Sequence, residues 1–387
     1  MAEQYTSKNR ISLVNSGEDF FSLLLSLVAK AKQTIHFQVY IFENDETGRR
    51  VAEALKEAAK KGVSVYLHVD GYASQKLKGQ FRQELEQAGV HFKFFEPLLK
   101  SSHFYFGRRL HQKVFVFDGI YSLVGGLNIG DRYNDMPDAP AWHDVALYAE
   151  GEIAYQLHLL CNRMWRKRRK LKDKISKKDV DAFCDTILEE ERQLIRIRQN
   201  DWVKRKSEVW NTYRILFAKA NETITVMCSY FLPGRTYRKL LSRAAARGVK
   251  IKVILAGKSD IMLSKNAERY LYNWLLKKNI RIYEYQRTVL HAKMSVADEQ
   301  FVTIGSFNVN NISAYASLEL NLDIKSPAFG MYVQQVMDDI IAKDCRQITK
   351  ENYISSANFF RRAWQKTAYL LVNGMTTLFT FYFKQED

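Results

Sequence analysis

The sequence has few of the features that mark secreted, disulfide-bonded or membrane-spanning proteins. Its four cysteines lie far apart and form no CxxC pair, which favours thiols in a reducing compartment over a disulfide framework or a zinc site. The amino terminus is polar and charged and lacks the apolar core of a signal peptide, so we do not expect export. No apolar run reaches the roughly 18 residues of a spanning helix, and the sequence predicts none.

What the chain has in excess is positive charge. Its 387 residues carry a formal net charge of +17, and 47% of them are apolar, which suits a globular protein of about two domains. A balance this basic favours anionic partners, either nucleic acid or the anionic face of a membrane. The run 163–178 contributes ten Lys and Arg against one Asp. It indicates either a surface that docks on phosphates or a solvated helix face or linker.

The two halves of the chain resemble each other. The block 48–71 matches the block 234–257 in length without a gap, and the runs 31–42 and 220–231 that precede them are also similar. A repeat of this length predicts that one supersecondary unit occurs twice.

Each block has the pattern of a helix followed by a strand. In the first block Gly62 ends the predicted helix, and the β-branched and aromatic run 63–70 predicts a strand. The apolar residues on one helix face are Val51, Ala54, Leu55 and Ala58. Strand, helix and strand form a βαβ unit, so we predict an α/β fold with mixed, largely parallel sheets flanked by helices.

A polar motif recurs within the repeat. Residues 110–130 align with residues 290–310 at a constant offset of 180. The recurring polar residues are His111, Lys113, Asp118 and Asn128 in the first half and His291, Lys293, Asp298 and Asn308 in the second. Because alternate residues of a strand share a face, each histidine points the same way as its lysine, whereas each aspartate points away and could hold a turn. We expect the two sets to form one shared site.

These residue types suit phosphodiester chemistry. Two lysines balance the charge of a phosphate and of its transition state, and asparagines donate to its non-bridging oxygens. One histidine can attack phosphorus while the other protonates the leaving oxygen and later deprotonates the acceptor. The lysines supply the positive charge, so we expect no metal and no cofactor, and no metal-ligand motif is present.

Two carboxylates are candidates for orienting the histidines. Asp144 follows His111 by 33 residues and Glu319 follows His291 by 28, each on a strand-like run. A carboxylate on the second ring nitrogen fixes the tautomer that a nucleophilic histidine needs. We predict that Asp144 orients His111 and that Glu319 orients His291; the alternative is two unrelated surface carboxylates.

Other polar residues receive weaker assignments. Arg109 and Tyr133 are candidates for the site entrance on position alone. Of the histidines without a counterpart in the other half, His143 is predicted to be structural, and His36, His68 and His103 are predicted to be core or surface histidines.

The doubled motif, HxK followed by four residues and Asp, resembles that of the phospholipase D superfamily. The segments 125–133, 141–151 and 305–322 are similar to those of one branch, the bacterial cardiolipin synthases, and the resemblance covers roughly residues 10–345. Members often begin with two transmembrane helices, which this chain lacks, so it resembles the short form.

The resemblance implies two phospholipase D-like domains in a pseudo-twofold arrangement. We expect the first domain at 1–165, a basic helical connector at 166–208 and the second domain at 209–350. It further implies a ping-pong phosphatidyl transfer from an anionic glycerophospholipid such as phosphatidylglycerol to an alcohol acceptor. His111 would be the nucleophile and His291 the acid and base, at the cytoplasmic side of a bacterial inner membrane.

The carboxy-terminal segment 351–387 is predicted to attach the protein to the membrane surface. Its apolar run Tyr369–Phe383 is short for a span and follows a stretch that mixes Arg and Lys with Phe and Trp. The alternative is a last helix packed on the domain. Two other functions stay open: a hydrolase or metal-independent nuclease of the same superfamily, and a non-catalytic protein that binds lipid or nucleic acid.

Overall fold

The computed structural model describes residues 5–77, 79–96, 108–166, 174–355 and 358–380. In chain order the elements are β1 (Asn9–Asn15), α1 (Glu18–Lys30), β2 (Thr34–Val39), α2 (Glu46–Lys60), β3 (Ser64–Asp70), α3 (Gln80–Gln87), β4 (His91–Phe95), β5 (Arg109–Leu110), β6 (Lys113–Phe117), β7 (Tyr121–Gly125), β8 (Val145–Gly151), α4 (Glu152–Arg166), α5 (Lys177–Asp185), β9 (Leu194–Asp201), β10 (Lys206–Ser207), α6 (Glu208–Lys219), β11 (Thr223–Cys228), α7 (Arg235–Ala246), β12 (Lys250–Lys258), α8 (Met262–Tyr270), α9 (Tyr272–Lys277), β13 (Arg281–Val289), β14 (Lys293–Ala297), β15 (Phe301–Gly305), α10 (Asn311–Tyr315), β16 (Ser317–Lys325), α11 (Pro327–Asp344), β17 (Cys345–Ile348), α12 (Lys350–Ser355) and α13 (Phe359–Thr380).

The chain divides into two compact units. The first comprises Met1–Ile197 with Ile304–Ser306 and Leu320–Ile324, and the second comprises Arg198–Thr303, Phe307–Glu319 and Lys325–Asp387. The boundary therefore lies inside the segment 166–208 that the sequence suggested as a connector. Part of that segment belongs to the first unit, because Val180 and Cys184 of α5 pack in a small core of their own with Ile175. Residues 167–173 of the basic run lie outside the described residues.

The first sheet has the order β1-β8-β7-β6-β2-β3-β4. Strands β2, β3 and β4 are parallel, as the βαβ pattern predicts, because α2 and α3 cross over between them. The remaining neighbours pair antiparallel. The prediction of a largely parallel sheet is thus wrong for the strands β1, β8, β7 and β6. The physical reason is the tight turn at Asp118 and Gly119, with φ of 52° and 65°, which returns the chain directly from β6 into β7.

The second sheet follows the order β10-β9-β16-β15-β14-β11-β12-β13-β17. Its strands β11, β12 and β13 are parallel, while β14 pairs antiparallel with β11 and β17 pairs antiparallel with β13. The local order β14-β11-β12-β13 repeats the order β6-β2-β3-β4 of the first sheet. The predicted α/β class is confirmed, and the sequence repeat corresponds to a repeated arrangement of strands.

Each unit buries a core of its own between sheet and helices. In the first unit Phe20 and Phe21 of α1 pack against Phe37, Phe115 and Phe117 of the sheet. Helix α2 begins at the cap Asp45 and presents its predicted apolar stripe to this core, with Val51, Leu55 and Ala58 buried and Ala54 half-buried. The second core is built in the same way from α6, α7 and the sheet β11-β12-β13.

Candidate active site

In the first unit most predicted site residues lie at one edge of the sheet. His111 precedes β6, Asn128 follows β7, Asp144 precedes β8, and Tyr40 follows β2. Strands β8, β7, β6 and β2 are consecutive neighbours, and each pair is antiparallel. The start of one strand therefore lies beside the end of the next, which brings these four positions to the same edge.

Lys113 is held beside His111 by a local contact. Its side chain is 1% exposed, and its Nζ donates a hydrogen bond of 2.6 Å to the carbonyl oxygen of His111. The same Nζ lies 5.2 Å from the ring centroid of Tyr40, and the His111 ring meets the Tyr40 ring edge-on at 4.9 Å. A buried ammonium needs such partners, because its transfer out of water is otherwise costly. The contacts fix the lysine and the histidine relative to each other.

The second unit repeats this arrangement. His291 precedes β14, Asn308 follows β15, and Ser229 follows β11. Lys293 is fully buried, and its Nζ donates to the carbonyl oxygen of His291 and, at 3.0 Å, to Oγ of Ser229. Ser229 occupies the position of the repeat that Tyr40 has in the first half. Each lysine thus donates to the carbonyl oxygen of its own histidine. The neighbouring side chain differs: Tyr40 lies beside Lys113, and Ser229 lies beside Lys293.

The structure separates Asp118 and Asp298 from the other predicted catalytic residues. Asp118 follows the far end of β6, about 17 Å along the strand from Lys113. Its carboxylate accepts hydrogen bonds of 2.8 Å from the backbone N–H groups of three successive residues, Lys32, Gln33 and Thr34. These contacts occupy the carboxylate at the junction between α1 and β2. The sequence counted Asp118 among the candidate site residues and also suggested that it holds a turn, and these contacts support the second role.

Asp298 repeats these contacts in the second unit. Its carboxylate accepts from the N–H groups of Asn221, Glu222 and Thr223 at 2.8 to 3.0 Å. Both aspartates have a positive φ, 52° for Asp118 and 51° for Asp298. The contacts of Asp298 support the same structural role: the recurring aspartate ties the start of one strand to the end of its neighbour.

The two asparagines are buried and already make structural contacts. Asn128 Oδ1 accepts from the N–H of Ile41 at 2.9 Å, and its Nδ2 donates to the hydroxyl of Tyr133 at 2.8 Å. In the second unit Oδ1 of Asn308 accepts from the thiol of Cys228 at 3.7 Å. An amide carries two N–H donors, so Asn128 has one beyond the one that Tyr133 receives.

Asp144 and Glu319 are both fully buried. Asp144 Oδ1 accepts from the N–H of Val145 at 2.8 Å, and the carboxylate lies directly against Gly126, where an added Cβ would collide with it. Glu319 lies near the start of β16, in the second unit. Because both side chains are 0% exposed, the interpretation of Asp144 and Glu319 as surface carboxylates is wrong.

Sequence reasoning missed Asp70, Tyr40 and Ser229. Asp70 ends β3 and is fully buried, and its carboxylate accepts from the N–H groups of Tyr72, Ala73 and Leu110. Burial raises the pKa of Asp70, although these backbone hydrogen bonds oppose the shift. Tyr40 and Ser229 occupy matching positions after the first strand of each repeat, and this match could be read from the sequence. Because the two residues differ in type, the match did not indicate that both contact the lysine.

The remaining predicted residues lie as follows. Tyr133 is 1% exposed and receives the hydrogen bond of Asn128, so its assignment to an entrance is corrected. Arg109 lies 5.1 Å above the ring of Tyr72. His36 and His68 are buried among aromatic rings, and His143 is half-buried before β8. His103 lies outside the described residues.

Comparison with known proteins gives a consistent result. The family model for "Cardiolipin synthase, PLD-like domain" matches residues 24–165 and 213–341. Cardiolipin synthase B of Escherichia coli (strain K12) is 29% identical over 355 residues, which covers 88% of this chain and 82% of the relative. Cardiolipin synthase 1 of Bacillus anthracis is 29% identical over 351 residues, covering 88% of this chain and 65% of the relative.

Solved structures with the same fold are more distant in sequence. The crystal structure of a phosphatidylserine synthase from Haemophilus influenzae Rd KW20 matches with a TM-score of 0.74 at 14% identity, over 96% of this chain and 95% of that chain. A polyphosphate kinase from Porphyromonas gingivalis matches with a TM-score of 0.59 at 13% identity, over 95% of this chain and 53% of that chain. At these identities the two likenesses show the fold alone.

Proposed function

Because the chain belongs to the cardiolipin synthase family with phospholipase D-like domains, we propose that it transfers a phosphatidyl group from an anionic glycerophospholipid to an alcohol. The observation that carries the proposal is the repeated pair of His111 with Lys113 and His291 with Lys293, each lysine hydrogen-bonded to the carbonyl of its own histidine. The likeness to the cardiolipin synthases supports a phospholipid rather than a nucleic acid as the substrate.

The reaction proceeds through a covalent phosphohistidine. A ring nitrogen of His111 attacks phosphorus, the bond from phosphorus to the first alcohol oxygen breaks, and His291 gives that oxygen a proton. In the second half the acceptor alcohol gives its proton to His291 and attacks phosphorus, and His111 leaves. Each half-reaction forms one P–N or P–O bond and breaks one, so no oxidant, reductant or metal is consumed.

The lysines stabilise the charge that develops on the phosphoryl oxygens. Lys113 and Lys293 are buried, so their ammonium groups act in a medium of low dielectric constant, where they are more effective than in water. Their fixed contacts mean that little reorganisation is needed when the charge develops. The N–H of Asn128 beyond that used by Tyr133 is a further donor for a phosphoryl oxygen.

Asp144 and Glu319 act as positioning residues in this mechanism. Asp144 sits at the sheet edge that carries His111, and Glu319 near the start of β16, which supports the assignment of one carboxylate to each histidine. A carboxylate on the second ring nitrogen holds the tautomer and stabilises the imidazolium. We expect Glu319→Gln to lower kcat strongly, with the protein still folded and with a shifted pH profile of kcat. Wild-type kcat would contradict the role.

One assay distinguishes this function from the alternatives. Pure protein is incubated in EDTA with phosphatidylglycerol vesicles and, separately, with single-stranded DNA. We expect lipid product from the wild type and none from His111→Ala. Release of phosphatidic acid without transfer would indicate a hydrolase, and DNA cleavage without lipid turnover would indicate a nuclease; the net charge of +17 keeps the latter as the second candidate.

We also propose that α13 attaches the protein to a membrane surface. Its face toward the protein carries the buried residues Gln365, Ala368 and Thr376. Its large apolar residues point outward and are 44–79% exposed, namely Phe359, Phe360, Trp364, Leu370, Leu371 and Met375. The helix therefore has small and polar residues on its inner face and large apolar residues on its outer face. A helix that packs on a domain in water has the opposite arrangement. Among the described residues no helix combines the length and hydropathy of a bilayer span.

Flotation with liposomes tests the attachment. The variant Phe359→Ser, Phe360→Ser, Trp364→Ser should bind vesicles at least about 1,000-fold more weakly, since each of the three aromatic side chains contributes roughly 1.5–3 kcal/mol when it enters the membrane. Leu188→Ser with Leu194→Ser, which changes two exposed leucines outside α13, is the control. Equal binding by the α13 variant and this control would contradict the proposal.

A further inference from the structure

A cavity of about 320 Å³ lies under the inner face of α13 in the second unit. Its charged and amide side chains are Arg269 of α8, Glu284 and Gln286 of β13, Arg346 of β17, Asn352 of α12, and Arg361 and Gln365 of α13. None of these residues belongs to the proposed catalytic set. The lining therefore offers three guanidinium groups and three amides against a single carboxylate.

The carboxylate of the lining meets more positive charge than it can balance. Glu284 lies 3.1 Å from the ammonium of Lys265, 3.2 Å from Arg269 and 4.0 Å from Arg346. Burial alone would raise the pKa of Glu284, but Lys265 and Arg269 outweigh burial and hold the pKa below its ordinary value. The only other carboxylate of the network in the described chain is Glu268, which lies 2.7 Å from Lys265. Positive charge remains in excess at the cavity.

Gln365 adds an amide from α13 to the lining of the cavity. Its side chain is 2% exposed and borders the cavity, so α13 holds it in place there. An anion in the cavity would accept from this amide as well as from the arginines.

The position of the cavity relates it to the membrane. Gln365 follows Trp364 directly, so one residue of α13 faces the cavity while its neighbour faces outward at 51% exposure. The side chain of Arg346 is 64% exposed and marks the side of the cavity that faces solvent. The side chain of Arg269 is 24% exposed. A lipid with its acyl chains beside the outer face of α13 could present its phosphate to this opening.

We propose that this cavity binds the phosphate of an anionic glycerophospholipid headgroup as a second, non-catalytic lipid site. The guanidinium groups pair with the phosphate oxygens, and the amide of Gln365 donates to the rest of the headgroup. The inference rests on the proposed attachment of α13 to the membrane. The second site would make membrane attachment selective for the lipid headgroup, in addition to the insertion of apolar side chains of α13.

The test compares two pairs of substitutions that remove the same charge. Arg346→Gln with Arg361→Gln changes the cavity, whereas Arg362→Gln with Lys366→Gln changes exposed residues of α13 that do not line it. Binding is measured by flotation with phosphatidylcholine vesicles with and without phosphatidylglycerol. We expect the cavity pair to reduce the preference for phosphatidylglycerol at least 10-fold more than the control pair. Equal reductions would overturn the proposal.

Hydrogen exchange with soluble ligands tests the site without a membrane. In the His111→Ala protein, glycerophosphoglycerol should protect peptides that cover 345–353 and 359–369, and the cavity pair should abolish this protection. Equal protection by inorganic phosphate at the same concentration would identify a free-phosphate site and overturn the lipid assignment. Lipid turnover by the cavity pair on short-chain, monomeric phosphatidylglycerol should equal the wild type. Failure of the proposed enzyme would instead appear as absent turnover in the wild type itself.

Discussion

At the scale of single residues, the two halves of the motif separate by function. The lysines and histidines lie at one edge of each sheet, and the aspartates lie at the other end of the same strand. A sequence motif records which residues recur, and a recurring residue can be required for the fold of the strand as well as for the chemistry. The aspartate contacts with three N–H groups in each unit are of the former kind.

Asp118→Ala should therefore destabilise the protein and spare the chemistry. It removes three hydrogen bonds to a charged acceptor and places alanine at a φ of 52°, which together should cost about 3–5 kcal/mol. Asp118→Asn tolerates the left-handed backbone and should cost less. Denaturant unfolding gives the stability, and kcat is measured at a temperature where each variant is folded. A stable Asp118→Ala protein without turnover would restore the catalytic assignment.

Gly126→Ala tests the placement of Asp144. The added Cβ would collide with the Asp144 carboxylate, so either the carboxylate or the loop after β7 must shift. Because a displacement of about 1 Å can cost 100-fold in rate, we expect kcat to fall by about that factor and the pH profile of kcat to move. The control is Gly374→Ala, since a Cβ at Gly374 meets open space. Wild-type kcat in Gly126→Ala would separate Asp144 from the reaction.

At the scale of elements, the N-terminus of α2 holds the loop that carries Asn128. Asp45 caps the helix by accepting from the N–H of Gly48 at 2.9 Å, and its other oxygen accepts from the N–H of Asp131 at 2.8 Å. Asp131 in turn accepts from the N–H of Thr47 at 2.8 Å. The exchange ties the helix of the repeat to the site loop.

Asp45→Ala should loosen both elements. Loss of the cap and of the Asp131 contact should together cost about 2 kcal/mol. Asp45→Ser keeps a capping hydroxyl and loses only the second oxygen, so it separates the two contributions. Hydrogen exchange should rise at 46–48 in the alanine variant alone and at 131–133 in both. Unchanged exchange at 131–133 would show that the loop is held by other contacts.

Helices and strands with a clear apolar periodicity were predicted correctly from the sequence. The strands and side chains that they contact were not. The helix α2 and the strand β3 follow from apolar periodicity and from Gly62, which adopts a φ of 88°. The antiparallel pairing of β6 with β7 depends on the turn at Gly119, whose conformation the sequence alone does not reveal. The contacts of Tyr40 and Ser229 with the two lysines depend on which strand lies next to which, and that is decided by the whole sheet.

The direction in which α13 faces shows the same limit. The sequence predicted that this segment attaches to the membrane surface and left a last helix packed on the domain as the alternative, because its residues alone do not show which side faces the protein. Contact with α8, including the rings of Tyr270 and Tyr369 at 4.8 Å, turns the opposite side inward. The cavity beneath it is lined by seven elements spread between residues 257 and 365, so no local pattern could have predicted it.

At the scale of the whole molecule, the duplication gives two units that each bury a core and each carry one histidine and lysine pair. Duplication alone would allow two independent reactions, each with half of the activity. The proposed mechanism instead assigns different tasks to the two histidines within one reaction. The two models make opposite quantitative predictions for single substitutions.

His111→Ala and His291→Ala should each reduce turnover of phosphatidylglycerol by at least 1,000-fold, whereas independent sites would leave about half of the activity. The covalent step separates them further. With a phosphorus-labelled lipid analogue whose leaving group is a nitrophenol and needs no protonation, His291→Ala should accumulate an acid-labile phosphohistidine, because attack by His111 is retained while the acceptor alcohol is no longer deprotonated. His111→Ala should give no adduct. An adduct in His111→Ala and none in His291→Ala would exchange the two roles, and half-activity in both variants would refute the division of labour between the repeats.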